Sequence, residues 1–350
     1  LEFRRVLFRS AVSARCMDGA DLNRDGLADL VIGTQSHGLT LWSRTDRANW
    51  SEITPAVLSN IYQFHSVQIG DFDGDFKPDI VAGSASNKGI YCFRNLGNND
   101  WESAALGLPV YGDYNPVLFA DLNHDGKMEI VAGKPGAGIE MFRWDSASVK
   151  WILMAGPTAA GTPTGLAAAD FDQDGILDLA ATFAASGISV WRQSPLATWT
   201  LFNTGLPISG IHGALAIADV NNDSYHDLIA AHSENGIRVY QNKTGSGSWA
   251  ELERPVVTGS YTSLDVSDIN HDGFVDIVAS GGEDGIRVWI SDTAAHWLPA
   301  AAGGLPDAGI LTHARFLKID TDDVSDIVAV NIPDFCSIYT NGDGTPPGNW

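Results

Sequence analysis

A nine-residue acidic motif that returns at near-constant intervals constrains this chain more than any other feature. Its first copy is Asp21-Leu22-Asn23-Arg24-Asp25-Gly26-Leu27-Ala28-Asp29. Relatives run from Asp71 to Asp79, Asp121 to Glu129, Asp170 to Asp178, Asp219 to Asp227 and Asp268 to Asp276, and a degraded seventh runs from Lys318 to Asp326. Successive starts lie 50, 50, 49, 49, 49 and 50 residues apart, so seven repeats fill the 350 residues and leave no room for a second domain or a long linker. A unit this short cannot bury its own apolar face and must stack on its neighbours.

Within one interval the pattern reads as four short strands. In the second, His65 to Ile69 alternates into the acidic loop and Ile80 to Gly83 leaves it. A turn at Ser86 to Gly89 precedes Ile90 to Phe93, and a polar loop from Asn95 to Asp100 leads to a fourth strand opened by Trp101. Short β-prone runs bounded by Gly, Asn and Asp, with no sustained 3.6 period, make the class all-β. A four-stranded unit repeated at this spacing predicts a seven-bladed β-propeller over residues 13–350, with the acidic loop joining the first and second strands of each blade.

A Trp opens the fourth strand in each repeat: Trp50, Trp101, Trp151, Trp199, Trp249, Trp297 and finally Trp350. Residues 1–12 stand in the register of the fourth strand that the last blade lacks. They are read either as a closing strand or as a non-native leader, since Arg4, Arg5 and Arg9 are basic in an acidic chain. The aromatics Trp42, Phe93, Phe142, Trp191, Tyr240 and Trp289 recur on the third strand, and recurrence in every blade predicts packing between blades for both aromatic series.

Oxygen donors at positions one, three, five and nine of a tight loop surround a hard cation, with the carbonyl of position seven and water completing six to eight oxygens. The donor sets are Asp21, Asn23, Asp25 and Asp29; Asp71, Asp73, Asp75 and Asp79; Asp121, Asn123, Asp125 and Glu129; Asp170, Asp172, Asp174 and Asp178; Asp219, Asn221, Asp223 and Asp227; and Asp268, Asn270, Asp272 and Asp276. The expected occupant is calcium, about six ions in all, because magnesium demands a stricter octahedron and keeps its waters. Position six is Gly in four of these loops, whereas Phe76 and Ser224 take it in the second and fifth, which predicts strain or a different turn there. Position twelve is Ile or Ala throughout, and an apolar strand rather than a helix follows, so the loops are not EF-hands. In the seventh copy Lys318 replaces the first donor and Asp323 the Gly, which leaves Asp320, Asp322 and Asp326 beside an ammonium and predicts no ion.

With Asp71-Phe72-Asp73-Gly74-Asp75 followed by Asp79-Ile80-Val81-Ala82-Gly83, the chain resembles the integrin-α-like FG-GAP repeat family in its VCBS-type form. The resemblance covers residues 13–350. It implies a propeller with calcium between the first two strands of each blade and partner binding on the opposite face. Candidate ligand-binding residues on that second face are Tyr62, His65, Tyr114, His212, Tyr261 and His313, with Tyr111 beside them and His37, Lys88, Lys134, His232 and Glu283 from the turns. Such side chains suit a glycan or a peptide, and equally an ordinary scaffold loop.

The charge balance limits the partners. A net charge of -22 repels nucleic acid, and no apolar run is long enough to span a bilayer as a helix. Cys16, Cys92 and Cys336 occupy unrelated points of the repeat and are expected to be buried small hydrophobes. No GxSxG, HExxH, CxxC or P-loop is present, and no blade carries a long insertion. The expectation is therefore a monomeric, noncatalytic recognition or adhesion module, lectin-like in character, at the cell surface, outside the cell or in the periplasm. The alternative is the propeller domain of a polysaccharide lyase or hydrolase.

Overall fold

The computed structural model describes residues 6–8, 13–44, 49–59, 62–281, 285–293, 295–300, 305–306, 310–319, 324–332 and 335–340. Each repeat folds as one four-stranded antiparallel sheet, and the seven sheets are the blades of a β-propeller. Blade two shows the pattern, with strands Phe64–Gly70, Asp79–Ser84, Ile90–Gly97 and Asp100–Ser103. No helix long and apolar enough to cross a membrane occurs among the described residues.

The last blade comprises Ile310–Leu317, Asp326–Ile332 and Phe335–Tyr339, and its fourth strand is Val6–Phe8 from the start of the chain. Val6 pairs with Ile338 and Phe8 with Cys336. Trp350 lies outside the described residues, as does Glu283. Contacts divide the chain into two compact units. One holds residues 11–166 and 194–199, with the first three blades, and the other holds 1–10, 167–193 and 200–350, with blades five to seven.

The second strand of each blade is covered on both faces, so it reads as a continuous apolar run rather than an alternating one. All six residues of Asp29–Thr34, Asp79–Ser84, Asp178–Phe183 and Asp227–His232 are buried. Because the acid of position nine begins this strand, a carboxylate opens each of these buried runs.

Adjacent blades share their cores. In the first unit, Leu22, Val31 and Leu41 of blade one pack with Phe93 and Trp101 of blade two, and Phe72 packs with Phe142 and Trp151 of blade three. In the second unit, Phe171 packs with Tyr240 and Trp249, and Val220 with Trp289 and Trp297. In blades two, three, five and six the aromatics of strands three and four thus close on the residue at loop position two of the preceding blade, as their recurrence predicts. The indoles add direction. Trp151 Nε1 donates to the Ala104 carbonyl and Trp249 Nε1 to the Phe202 carbonyl, each at 2.8 Å. The three cysteines are buried thiols outside any disulfide.

Trp249→Phe keeps most of the buried area but removes the hydrogen bond to Phe202 together with part of the buried ring. It is expected to lower the free energy of unfolding by about 1–2 kcal/mol, against about 3–5 kcal/mol for Trp249→Ala. Urea titrations of both variants provide the check, and equal losses would show that the hydrogen bond, not the area, dominates.

Candidate functional site

Six acidic loops share one hydrogen-bond scheme. The position-one carboxylate accepts from the amides of positions five and six: Asp21 does so at 3.1 and 2.8 Å, and Asp170 at 3.1 and 2.8 Å. The position-three oxygen accepts from position five, as Asn23 does from Asp25 at 2.9 Å. Position five accepts from position seven at 2.9 Å, from Asp25 and Leu27 to Asp272 and Phe274. Short Asx side chains that bond their own backbone two residues on are the physical reason such residues nucleate turns.

Positions four and six are left-handed in every one of these loops. Position four is Arg24, Gly74, His124, Gln173, Asn222 or His271, and all six have φ between 56° and 79°. At position six, Phe76 has φ 67° and Ser224 φ 73°, beside 80° to 88° for the glycines. The second and fifth loops therefore make the same turn as the others and carry the strain at a residue with a Cβ, so of the two expected outcomes strain is the one observed.

The ninth-position acid has a role that the motif alone did not reveal. One oxygen of Asp79 accepts from the Phe72 amide at 3.2 Å, and the other accepts from the Asn95 amide of strand three at 2.8 Å. The same two-ended clip recurs at Asp29, Asp178, Asp227 and Asp276. Glu129, one methylene longer, accepts instead from the Leu122 amide and the Asn123 side chain. Asp326 of the seventh loop accepts from Ile319, while Asp320, Asp322 and Asp323 lie outside the described residues. The signal available in the sequence was the acid's place at the head of a fully apolar strand, since a buried carboxylate must find donors.

Those donors do not fully compensate the burial. Burial, opposed by the two backbone hydrogen bonds and reinforced by Asp73 and Asp75, pushes Asp79 up to about 8. Asp178, Asp227, Asp276 and Glu129 are pushed to about 7 in the same way, each with neighbouring loop carboxylates adding to the effect. Such groups gain from a nearby positive charge.

In two loops the acids converge most closely. Oxygens of Asp71, Asp73 and Asp79 lie within 4.8 Å of one another, and so do those of Asp170, Asp172 and Asp174. These are the two loops with Asp rather than Asn at position three. They also hold a guanidinium on their oxygens: Arg94 Nε is 2.5 Å from Asp73 Oδ2, and Arg192 Nη1 is 3.3 Å from Asp172 Oδ2. Lys77 adds a second cation at Asp75, at 2.7 Å. The donor set of hard oxygens, most of them charged, with a side-chain cation standing in at two of the six loops, fits a hard metal ion.

The candidate ligand residues are divided by burial. Tyr114, His212 and Tyr261 were expected on an open surface, but their side chains are buried, Tyr114 and Tyr261 within the cores shared between blades. Tyr114 donates to Glu140 at 2.7 Å, and the His212 and His232 rings meet edge to face at 4.9 Å. Burial, then the neighbouring His232, pushes His212 down to about 4. Tyr62, His65 and His313 are partly exposed, and Lys88 sits over the Tyr62 ring at 5.3 Å. Exposed apolar residues are spread over the described blades: Leu106, Val110 and Tyr111 in one unit and Ile208, Ile211 and Val257 in the other stand in the connections from fourth to first strand, whereas Phe76 lies in an acidic loop, Val149 and Leu196 between third and fourth strands, and Leu153, Leu201 and Leu298 on fourth strands.

The family model for the FG-GAP-like repeat matches residues 21–82, 77–132, 170–230 and 219–279. A comparison with curated proteins found no match. Among solved structures the chain is similar to the crystal structure of the WD40 beta propeller domain of Doa1, with 12% sequence identity, a TM-score of 0.58 and coverage of 97% of each chain. At that identity the likeness concerns the fold.

Replacing Phe76, which is 81% exposed and packs against little, by Gly relieves the left-handed strain without opening a cavity. Phe76→Gly and Ser224→Gly are each expected to raise stability by about 0.5–1 kcal/mol, read as higher urea midpoints at constant slope.

Proposed function

The chain belongs to the FG-GAP-like repeat family, and from that premise we propose that it is a calcium-stapled recognition propeller, noncatalytic, that works outside the cytosol. The observation that carries this reading is the sixfold recurrence of one loop geometry, with oxygen donors at positions one, three and five and a buried acid at position nine. The four donors of each loop, from Asp21, Asn23, Asp25 and Asp29 through Asp268, Asn270, Asp272 and Asp276, would hold the ion. Bound calcium would neutralise carboxylates that burial and mutual repulsion now push toward protonation. Lys318 at the first position of the seventh loop supplies an ammonium where the others supply an oxygen, so six ions rather than seven are proposed.

Location follows from affinity. Loops built for extracellular calcium have Kd of ~10⁻⁴ to 10⁻³ M, values that cytosolic calcium cannot fill. At about 2 mM calcium each such site adds about 0.6 to 1.8 kcal/mol by mass action. Six sites together then match the net stability of a whole domain, which makes calcium a condition of folding rather than an ornament.

For recognition, the connections from fourth to first strand vary in sequence from blade to blade and present exposed apolar side chains such as Val110, Tyr111 and Ile208, while the strands they join repeat. Variation on a repeated frame is how such scaffolds present a binding surface. A glycan or a protein segment is the proposed ligand. A glycan array on the purified chain, run beside a polysaccharide turnover assay, tests it: turnover would replace the noncatalytic reading with an enzymatic one.

Two further outcomes test the calcium reading. Chelator is expected to lower the melting temperature by ten degrees or more, a shift on the order of several kcal/mol, and an unchanged melt would refute the reading. Asp172→Ala is expected to remove one bound equivalent, and Lys318→Asp to add a seventh, both counted by calcium titration with a chromophoric chelator.

A further inference from the structure

Both loops with Asp at position three meet an arginine of the third strand. One residue past each strand-three aromatic stand Ser43, Arg94, Arg143, Arg192, Gln241 and Ile290. This register faces the loop: Ser43 Oγ accepts from Asn23 at 3.1 Å, and Gln241 donates to Asp223 Oδ2 at 3.1 Å. Where position three is Asp, the facing residue is Arg and the two form an ion pair, Arg94 with Asp73 and Arg192 with Asp172. Arg143 stands in the same register opposite a loop with Asn123 at position three.

Both paired aspartates are 8% exposed, whereas Arg94 is 35% and Arg192 47% exposed. A nearly buried carboxylate is thus reached by a guanidinium from the solvent side. The extra acid of these loops is balanced by one extra cation, so their donors and facing residue carry the same net charge as those of the first, fifth and sixth loops, while the third, with Arg143 opposite Asn123, carries one negative charge fewer and Lys77 adds a further cation at the second. The charge on the donors is what tunes the affinity of a calcium loop.

We propose that Arg94 and Arg192 set the cation affinity of the second and fourth loops, cancelling the additional carboxylate at Asp73 and Asp172 and holding these two loops level with the Asn-bearing loops whose facing residue is uncharged. This rests on the reading of the loops as calcium sites. Without the ion, the arginines neutralise the loop. With the ion, they remain at its edge and oppose a donor set that would otherwise bind more tightly than the rest. The two loops therefore depend less on calcium for order than their acid count implies.

The test is a calcium titration of the whole chain in competition with a chromophoric chelator. In Arg94→Gln/Arg192→Gln, two sites are expected to tighten about tenfold while four keep the affinity of the unmodified chain. Adding Asp73→Asn and Asp172→Asn is expected to return those two to the common value. Ser43→Arg, which brings a guanidinium to a loop without the extra acid, is expected to weaken one site. In chelator, the arginine variants should melt below the unmodified chain, and this difference should vanish once position three is Asn. Six sites of unchanged affinity in the arginine variant would overturn the proposal while leaving the calcium reading intact. Absence of calcium binding in the unmodified chain would overturn both.

Discussion

A carboxylate buried at the head of a covered strand is the constraint on which the rest of the blade depends. Asp79 ties the start of its loop to the far end of strand three through two backbone amides. Those amides would otherwise be unpaired in the interior, where each costs about 1–3 kcal/mol. The clip fixes the separation between loop and third strand, and thereby the register in which Ile80 meets Phe93. From that register the ring of Phe93 reaches the core of the preceding blade, beside Leu22 and Val31. One acid per repeat therefore links the local turn, the sheet within a blade and the packing between blades.

The same acid creates the electrostatic problem that the loops answer. It is buried within reach of two or three other carboxylates, so burial and repulsion both favour its neutral form. Three kinds of relief are present in one chain. Asn replaces Asp at position three in four loops, Arg94 and Arg192 pair with the remaining two aspartates, and Lys318 enters the seventh loop at the first position. Each removes or offsets one negative charge, while the amides donated to positions one, three and five hold the loop's shape. Shape and charge are thus separable here: Phe76 and Ser224 keep the turn at position six without the glycine, and Asn keeps the turn at position three without the charge.

How much of this was legible in the sequence follows from what repeats. Period, strand count and the order of strands within a blade could be read because the motif and its flanking apolar runs recur seven times. The inter-blade role of Trp101, Trp151, Trp249 and Trp297 could be read for the same reason. The clip made by the ninth-position acid was not legible, because its second partner is a backbone amide of whatever residue stands there: Arg44, Asn95, Gln193, Asn242 or Ser291. Side-chain identity carries no trace of a backbone donor. The burial of Tyr114, His212 and Tyr261 was hidden for a related reason. Polar tips suggested surface, yet Tyr114 satisfies its hydroxyl on Glu140 while its ring fills the core between blades two and three.

What varies between blades follows from that division. A position that bonds backbone or fills a shared core is repeated, because every blade must meet the same neighbour in the same way. A position that faces solvent beyond those contacts is free to differ, and the differences gather in two places. One is the register past the strand-three aromatic, where Ser, Arg, Gln and Ile alternate in front of the acidic loops. The other is the connection from fourth to first strand, where Val110 and Tyr111, Ile208 and Ile211, and Val257 stand exposed. The first register meets the loops directly, as Arg94, Arg192 and Gln241 do at Asp73, Asp172 and Asp223 and Ser43 does at Asn23. The exposed apolar side chains of the second stand outside the cores their own blades bury, which leaves them available to the ligand proposed above.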